Sequence, residues 1–205
     1  MGHSVDPEAE AAKFLERDFT ECFSQMRHYD GQIIDICKFM FTAYTALAGV
    51  AVAFYQFSIA NAVNLVPAAC LALAIGLIVG LLLFCLAVRN RVYFVFVTRY
   101  INEHRKLFLR GKPLGFQNVT GMYTDPSQPP FFNWRSSQSW LTYIIAGLNA
   151  TLLAVLLFVL FHDDRYRWWI LVVGSAAFFA AQLIIAICYL RSREAKPAEQ
   201  AVFGR

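Results

Sequence analysis

The chain has 205 residues, 58% of them hydrophobic and 16% charged, with a net charge of +4. A soluble domain carries about a quarter charged residues, so a soluble globular protein is a poor fit. The small positive excess does not indicate a nucleic-acid partner.

The chain opens with a polar, mixed-charge segment. Within residues 7–38, Ala12, Leu15, Phe19, Cys22, Met26, Tyr29, Ile33 and Ile36 recur at alternating intervals of three and four. That is an a/d heptad seam and predicts an amphipathic, coiled-coil-like helix. Gly31 is its weak point, at about 1 kcal/mol in a helix interior. No cleavable signal peptide is evident, so the first apolar run is expected to act as the insertion signal. The start, Met-Gly-His, resembles a myristoylation site, but the spans below make a lipid anchor redundant.

Four runs without Asp, Glu, Lys or Arg follow: residues 39–57, 65–88, 140–161 and 168–190. A hydrocarbon core of about 30 Å takes about 20 helical residues, so each run predicts a transmembrane helix. Residues 65–88 carry Ala68, Ala72, Gly76 and Gly80 at four-residue spacing. Small residues on one face allow close helix approach, either within one chain or between copies in a homo-oligomer. Asn149 and Gln182 are the amides of the third and fourth spans. They are expected to bond each other, as helix glue or along a narrow polar path.

Residues 89–110 alternate in helical register. Arg91, Arg99, Asn102, Glu103, Arg105, Lys106 and Arg110 share one arc; Tyr93, Phe94, Phe96, Val97, Tyr100, Ile101, Leu107 and Phe108 share the other. The second span is therefore expected to continue as one helix to about residue 110, stopping at Gly111 and Pro113. An interfacial helix lying flat on the membrane fits the same pattern. The projecting helix is preferred because the N-terminal seam needs a partner face, giving an antiparallel hairpin. Arg99, Asn102, Arg105 and Lys106 form a candidate patch for an anion or lipid headgroup, or else a solvated face.

Residues 111–139 read as a Pro/Gly linker, with Phe131, Phe132, Trp134 and Trp140 as an aromatic belt before the third span. Residues 191–205 read as a polar tail. Lys and Arg fix the orientation. Sixteen of the 18 lie in the N-terminal segment, the middle loop and the tail, and two lie in the loop before the fourth span. Both termini are thus expected inside. The sequon Asn118-Val119-Thr120 would then be cytoplasmic and unglycosylated.

No catalytic motif, phosphate loop or Cys/His array is present. The five cysteines show no paired spacing. His28 and His104 both fall on the expected hairpin, but two histidines do not make a metal site. His162, Asp163 and Asp164 read as a solvated turn.

The expectation is an all-α, four-span integral membrane protein, N-in and C-in, without enzymatic activity or cofactor. The layout is loosely similar to small four-span membrane effectors of bacterial signalling and antiphage systems, in architecture alone. That similarity implies a bacterial cytoplasmic (inner) membrane and an oligomeric, pore-like effector gated through the cytoplasmic hairpin. A membrane anchor or scaffold for a soluble cytoplasmic protein is the alternative, and a small transporter the third reading.

Overall fold

The computed structural model describes residues 7–61, 63–112, 115–161 and 164–194. Met-Gly-His, Pro113, His162, Asp163 and the tail beyond Glu194 lie outside the described residues. Among those described there are four helices and no strand: α1 Pro7–Asn61, α2 Val66–Arg110, α3 Ser137–Leu160 and α4 Arg167–Glu194.

Local chemistry explains the boundaries. Glu8 and Glu10 occupy the first turn of α1, where the helix dipole favours negative charge. The turn into α2 is closed by Leu65 N–H donating to Ser58 Oγ at 2.9 Å. Pro67 stands in the first turn of α2, where no intrahelical donor is needed. α2 ends at Gly111, whose N–H reaches the Leu109 carbonyl. Ser136 caps α3 by accepting from Ser139 N–H at 3.1 Å. α3 thus begins a turn before Trp140. Gly31 lies inside the unbroken α1.

α1 has 55 residues and α2 has 45. At 1.5 Å per residue these are about 80 and 70 Å long. Both far exceed a hydrocarbon core of about 30 Å, so in each roughly half the helix lies beyond it. The two helices pack side by side and run in opposite directions. Asp18 meets His104, Tyr29 meets Asn90 and Tyr93, and Tyr44 meets Gly76. The heptad positions supply this contact face: Cys22 and Ile33 are buried, and Leu15, Phe19, Met26, Tyr29 and Ile36 are half-buried. The seam continues through Met40, Tyr44 and Ala51 into the apolar half. α3 packs on α2 and α1, and α4 mainly on α3.

All four helices are long and apolar enough to cross a membrane. Their outer faces carry large apolar side chains, among them Phe41, Leu71, Ile78, Leu82, Val172 and Ile185, each more than half exposed. Soluble monomers rarely expose continuous apolar surface on that scale; lipid covers it without cost. The fold is that of a multi-pass integral membrane protein.

Residues 115–136 are not a free linker. They form a series of turns whose last part lies against α2. Phe131, expected in an interfacial belt, is instead a core residue at 1% exposure. Its ring stands edge-on to Phe96 at 5.0 Å, with the Arg99 guanidinium 4.6 Å away over its face.

Candidate functional site

Two buried polar clusters organise the molecule. The first lies within the apolar zone and ties all four helices together. Tyr44 of α1 donates its hydroxyl to Asn149 Oδ1 of α3 at 2.6 Å and lies 3.2 Å from the Gly76 carbonyl of α2. Asn149 Nδ2 donates to the Gly80 carbonyl at 3.2 Å and to Gln182 Oε1 of α4 at 2.8 Å. Gln182 Nε2 reaches the carbonyls of Ala146 and Phe178. Tyr44, Asn149 and Gln182 are all buried, and their donors and acceptors are engaged. Every N–H and O–H proton of the cluster is thereby used within the bundle.

The small-residue stripe divides on this cluster. Gly76 and Gly80 face inward. A methyl group on Gly76 would meet Leu47 at 2.6 Å and Leu152 at 3.3 Å. One on Gly80 would land on the Tyr44 hydroxyl and Asn149 Oδ1. Ala72 is half-buried and Ala68 is exposed. The two glycines therefore serve packing within the chain, where backbone must come close enough to accept from Tyr44 and Asn149.

The second cluster pins the loop to α2 just past the apolar zone. Arg91 is 4% exposed. Its Nε donates to the Phe131 carbonyl at 3.0 Å, Nη2 to the Pro130 carbonyl at 2.8 Å, and Nη1 to Gln138 Oε1 at 3.2 Å. Gln138 Nε2 passes the link to Asp30 Oδ1 at 3.1 Å, so α2, α3 and α1 are joined. Burial pushes the guanidinium pKa down to about 10, the charge of Arg99 adds to that, and Asp30 opposes it. The group therefore stays charged at neutral pH. Arg99 donates to the Pro129 carbonyl and pairs with Glu194 at 2.5 Å. The other Glu194 oxygen accepts from Phe131 N–H at 2.9 Å. Asn102 Nδ2 donates to the carbonyls of Asp125 and Gln128.

Of the expected anion patch, Arg99 and Asn102 are thus spent on the loop and α4. Asn102 is 2% exposed. Arg105 and Lys106 part company: Arg105 lines a cavity between α1, α2 and residues 121–129, and Lys106 lines a different one beside Gln117 and Asn118. His28 pairs with Gln32 on α1, whereas His104 is buried with Nε2 3.5 Å from Asp18 Oδ2. Beside them, hydrogen bonding to Asp18, helped by burial, raises the Tyr100 phenol's pKa. Burial, with Asp18 and Glu21, does the same to the Cys22 thiol, which leaves it poorly nucleophilic. Among the described residues no three His, Cys, Asp or Glu side chains converge as metal ligands.

Sequence reasoning missed the roles of Arg91, Tyr44 and Gln138. Arg91 sits on the polar arc of an amphipathic pattern, which signals solvent unless a second element covers it. Compared with known proteins, the chain matches no family, no curated protein and no solved structure.

Proposed function

We propose that this chain is a non-enzymatic membrane anchor for a binding module on the cytoplasmic side, in a bacterial inner membrane with both termini inside. The module consists of the projecting hairpin formed by the outer halves of α1 and α2, together with residues 115–136. Its role is to receive a soluble partner and hold it at the membrane.

One observation carries this reading. The loop is clamped onto α2 by Arg91, Arg99 and Asn102 through five backbone carbonyls. Bonds of this kind, three of them charge-assisted, are costly to leave unmade and give a fixed surface outside the bilayer. The apolar zone, by contrast, is closed. Gly76 and Gly80 are packed against Leu47, Tyr44, Asn149 and Leu152, and the polar groups there bond one another. A pore would have to form between copies, with lipid-facing side chains at its wall.

The orientation rests on Lys and Arg counts. The test begins in intact cells with single cysteines in a cysteine-free background. Val119→Cys should resist a membrane-impermeant maleimide, and Asn64→Cys should react. A photo-crosslinking residue at Phe108 on the hairpin should then capture a soluble protein, while one at lipid-facing Leu82 should not. The membrane potential should stay normal during expression. Depolarisation without any hairpin crosslink would overturn the anchor reading in favour of the pore.

A further inference from the structure

Three arginines of α2 face the loop side, and they differ in one respect. Arg91 and Arg99 both donate to loop carbonyls, and further to the Gln138 amide oxygen and the Glu194 carboxylate respectively. Arg105 has no such acceptor among the described residues. Its guanidinium lies instead among ring faces: Tyr123 at 5.3 Å, and Phe19 and Phe23 each at 5.9 Å. It is half-buried and lines a cavity of about 680 Å³ with Phe23, Met26, Phe94, Met122 and Tyr123. Drug-sized ligands occupy cavities of about 300–1,000 Å³.

Two further features mark this cavity as built. Tyr123 adopts φ +58 and Gly121 φ +63. The left-handed region is unfavourable for a bulky residue such as tyrosine, and here it accompanies a ring placed over Arg105. On the same lining, Asn102 Oδ1 is buried without a donor, and it calls for an N–H or O–H on the body of a ligand and not for its anionic group. The lining also holds one carboxylate, Asp125, whose Oδ1 already accepts from Ser127 N–H and Oγ–H.

We propose that this cavity binds a small aromatic anion. The anionic group pairs with the unspent fork of Arg105, and the flat body lies between the rings and the methionines. A guanidinium held against aromatic faces binds a planar carboxylate or phosphate bidentately without first losing another partner. A lipid headgroup is the wrong occupant on distance: Arg105 is 17 residues past Val88, about 25 Å along the helix from the end of the charge-free run. The site does not depend on the anchor reading.

The test uses the full chain in phosphatidylcholine nanodiscs. Binding of 2-naphthoate is compared with that of its neutral isostere 2-naphthamide by equilibrium dialysis, with empty nanodiscs subtracted. The naphthoate should bind saturably and roughly tenfold more tightly than the amide, the effect of one charge-assisted pair. Arg105→Met should remove that preference and leave amide binding unchanged; Arg105→Lys should keep part of it. Tyr123→Ala should weaken both ligands. Trypsin resistance of residues 115–136 confirms that each variant keeps its loop. Equal binding of naphthoate and amide, or no saturable binding above empty nanodiscs, overturns the proposal. So does displacement of naphthoate by phosphatidylglycerol in the bilayer, because that would make the occupant a lipid.

Discussion

The Tyr44 hydroxyl lies 2.6 Å from Asn149 Oδ1, and both groups occupy the space that a side chain on Gly80 would need. α1, α2 and α3 are therefore held by a close approach as much as by hydrogen bonds. Intramembrane hydrogen bonds average about 0.6 kcal/mol and reach about 1.7, so steric fit dominates here. Gly80→Ala should destabilise the bundle by about 2–3 kcal/mol through overpacking. Tyr44→Phe should cost about 1 kcal/mol by itself. The double variant should be less damaged than the sum, because removing the hydroxyl vacates part of the space. Reversible unfolding in mixed micelles, read as a double-mutant cycle, measures the coupling. Strict additivity would show that the clash is relieved elsewhere. A glycine substitution here damages the monomer first, so lost assembly in such a variant would say nothing about an interface between copies.

Arg91 should be the residue on which the loop depends. Arg91→Met keeps the length of the side chain but leaves the Phe131 and Pro130 carbonyls and Gln138 without their donor. Losing three charge-assisted bonds at a buried site should weaken loop docking by about 3 kcal/mol. Exposed Arg110 and Arg135, each followed by a residue other than proline, flank the loop. When opening is fast, cleavage follows the open population, so tryptic cutting at these two sites should accelerate about a hundredfold. Arg91→Lys keeps a charge but not the fork and should fall between. Unchanged cutting of Arg91→Met would mean that the Phe131 ring alone holds the loop.

Glu194 offers a contrast within the same cluster. It touches Arg99 and Phe131 N–H, but its side chain is 46% exposed. Exposed pairs contribute about 0–1 kcal/mol. Glu194→Gln also keeps one acceptor oxygen. Tryptic cutting of the loop should therefore rise by less than about fivefold. A rise as large as that of Arg91→Met would make the end of α4 an equal partner in docking the loop.

Much of the fold is legible in the chain because its signals are local. Charge-free runs mark the four helices, and the three-four spacing from Leu15 to Ile36 marks the face of α1 that α2 covers. Asn149 and Gln182 stand out because an amide in an apolar helix needs a partner, and their bond is present at 2.8 Å. What was not legible depends on which surfaces a third element covers. Arg91 and Asn102 follow the periodicity of a solvated face, and only the return of residues 125–131 buries them. Phe131 follows the composition of an interfacial belt, yet it fills a hole beside Phe96. Gly76 and Gly80 announce a close approach without naming the partner, which within the chain is Leu47 and Leu152 for Gly76 and Tyr44 and Asn149 for Gly80. The cage around Arg105 draws on residues about a hundred positions apart, and the left-handed turn at Tyr123 has no signature in a non-glycine residue.

Asp125 links the loop to pH. Its carboxylate accepts from the Ser127 hydroxyl at 2.7 Å and the Ser127 N–H at 2.8 Å. These bonds favour the ionised form and hold its pKa below the ordinary value, with Lys106 and Arg99 adding a smaller pull. A carboxyl group with a depressed folded pKa contributes stability that is complete above its unfolded value, about 3.9 for Asp. That contribution is lost as the pH falls through the folded value. The Asp125 backbone carbonyl also accepts from Asn102, so loosening this turn should loosen the loop. Carbon-detected NMR of labelled aspartate should show Asp125 titrating below the ordinary range. Ser127→Ala should move it back up, because the hydroxyl is the first of its causes. Amide exchange at residues 125–131, sampled through the same acid window, should accelerate as Asp125 protonates, and in Ser127→Ala that acceleration should begin at higher pH. If Ser127→Ala leaves the titration in place, the depression comes from the residue-127 N–H, which alanine keeps, or from Lys106 and Arg99, and raising the salt concentration should abolish only the latter.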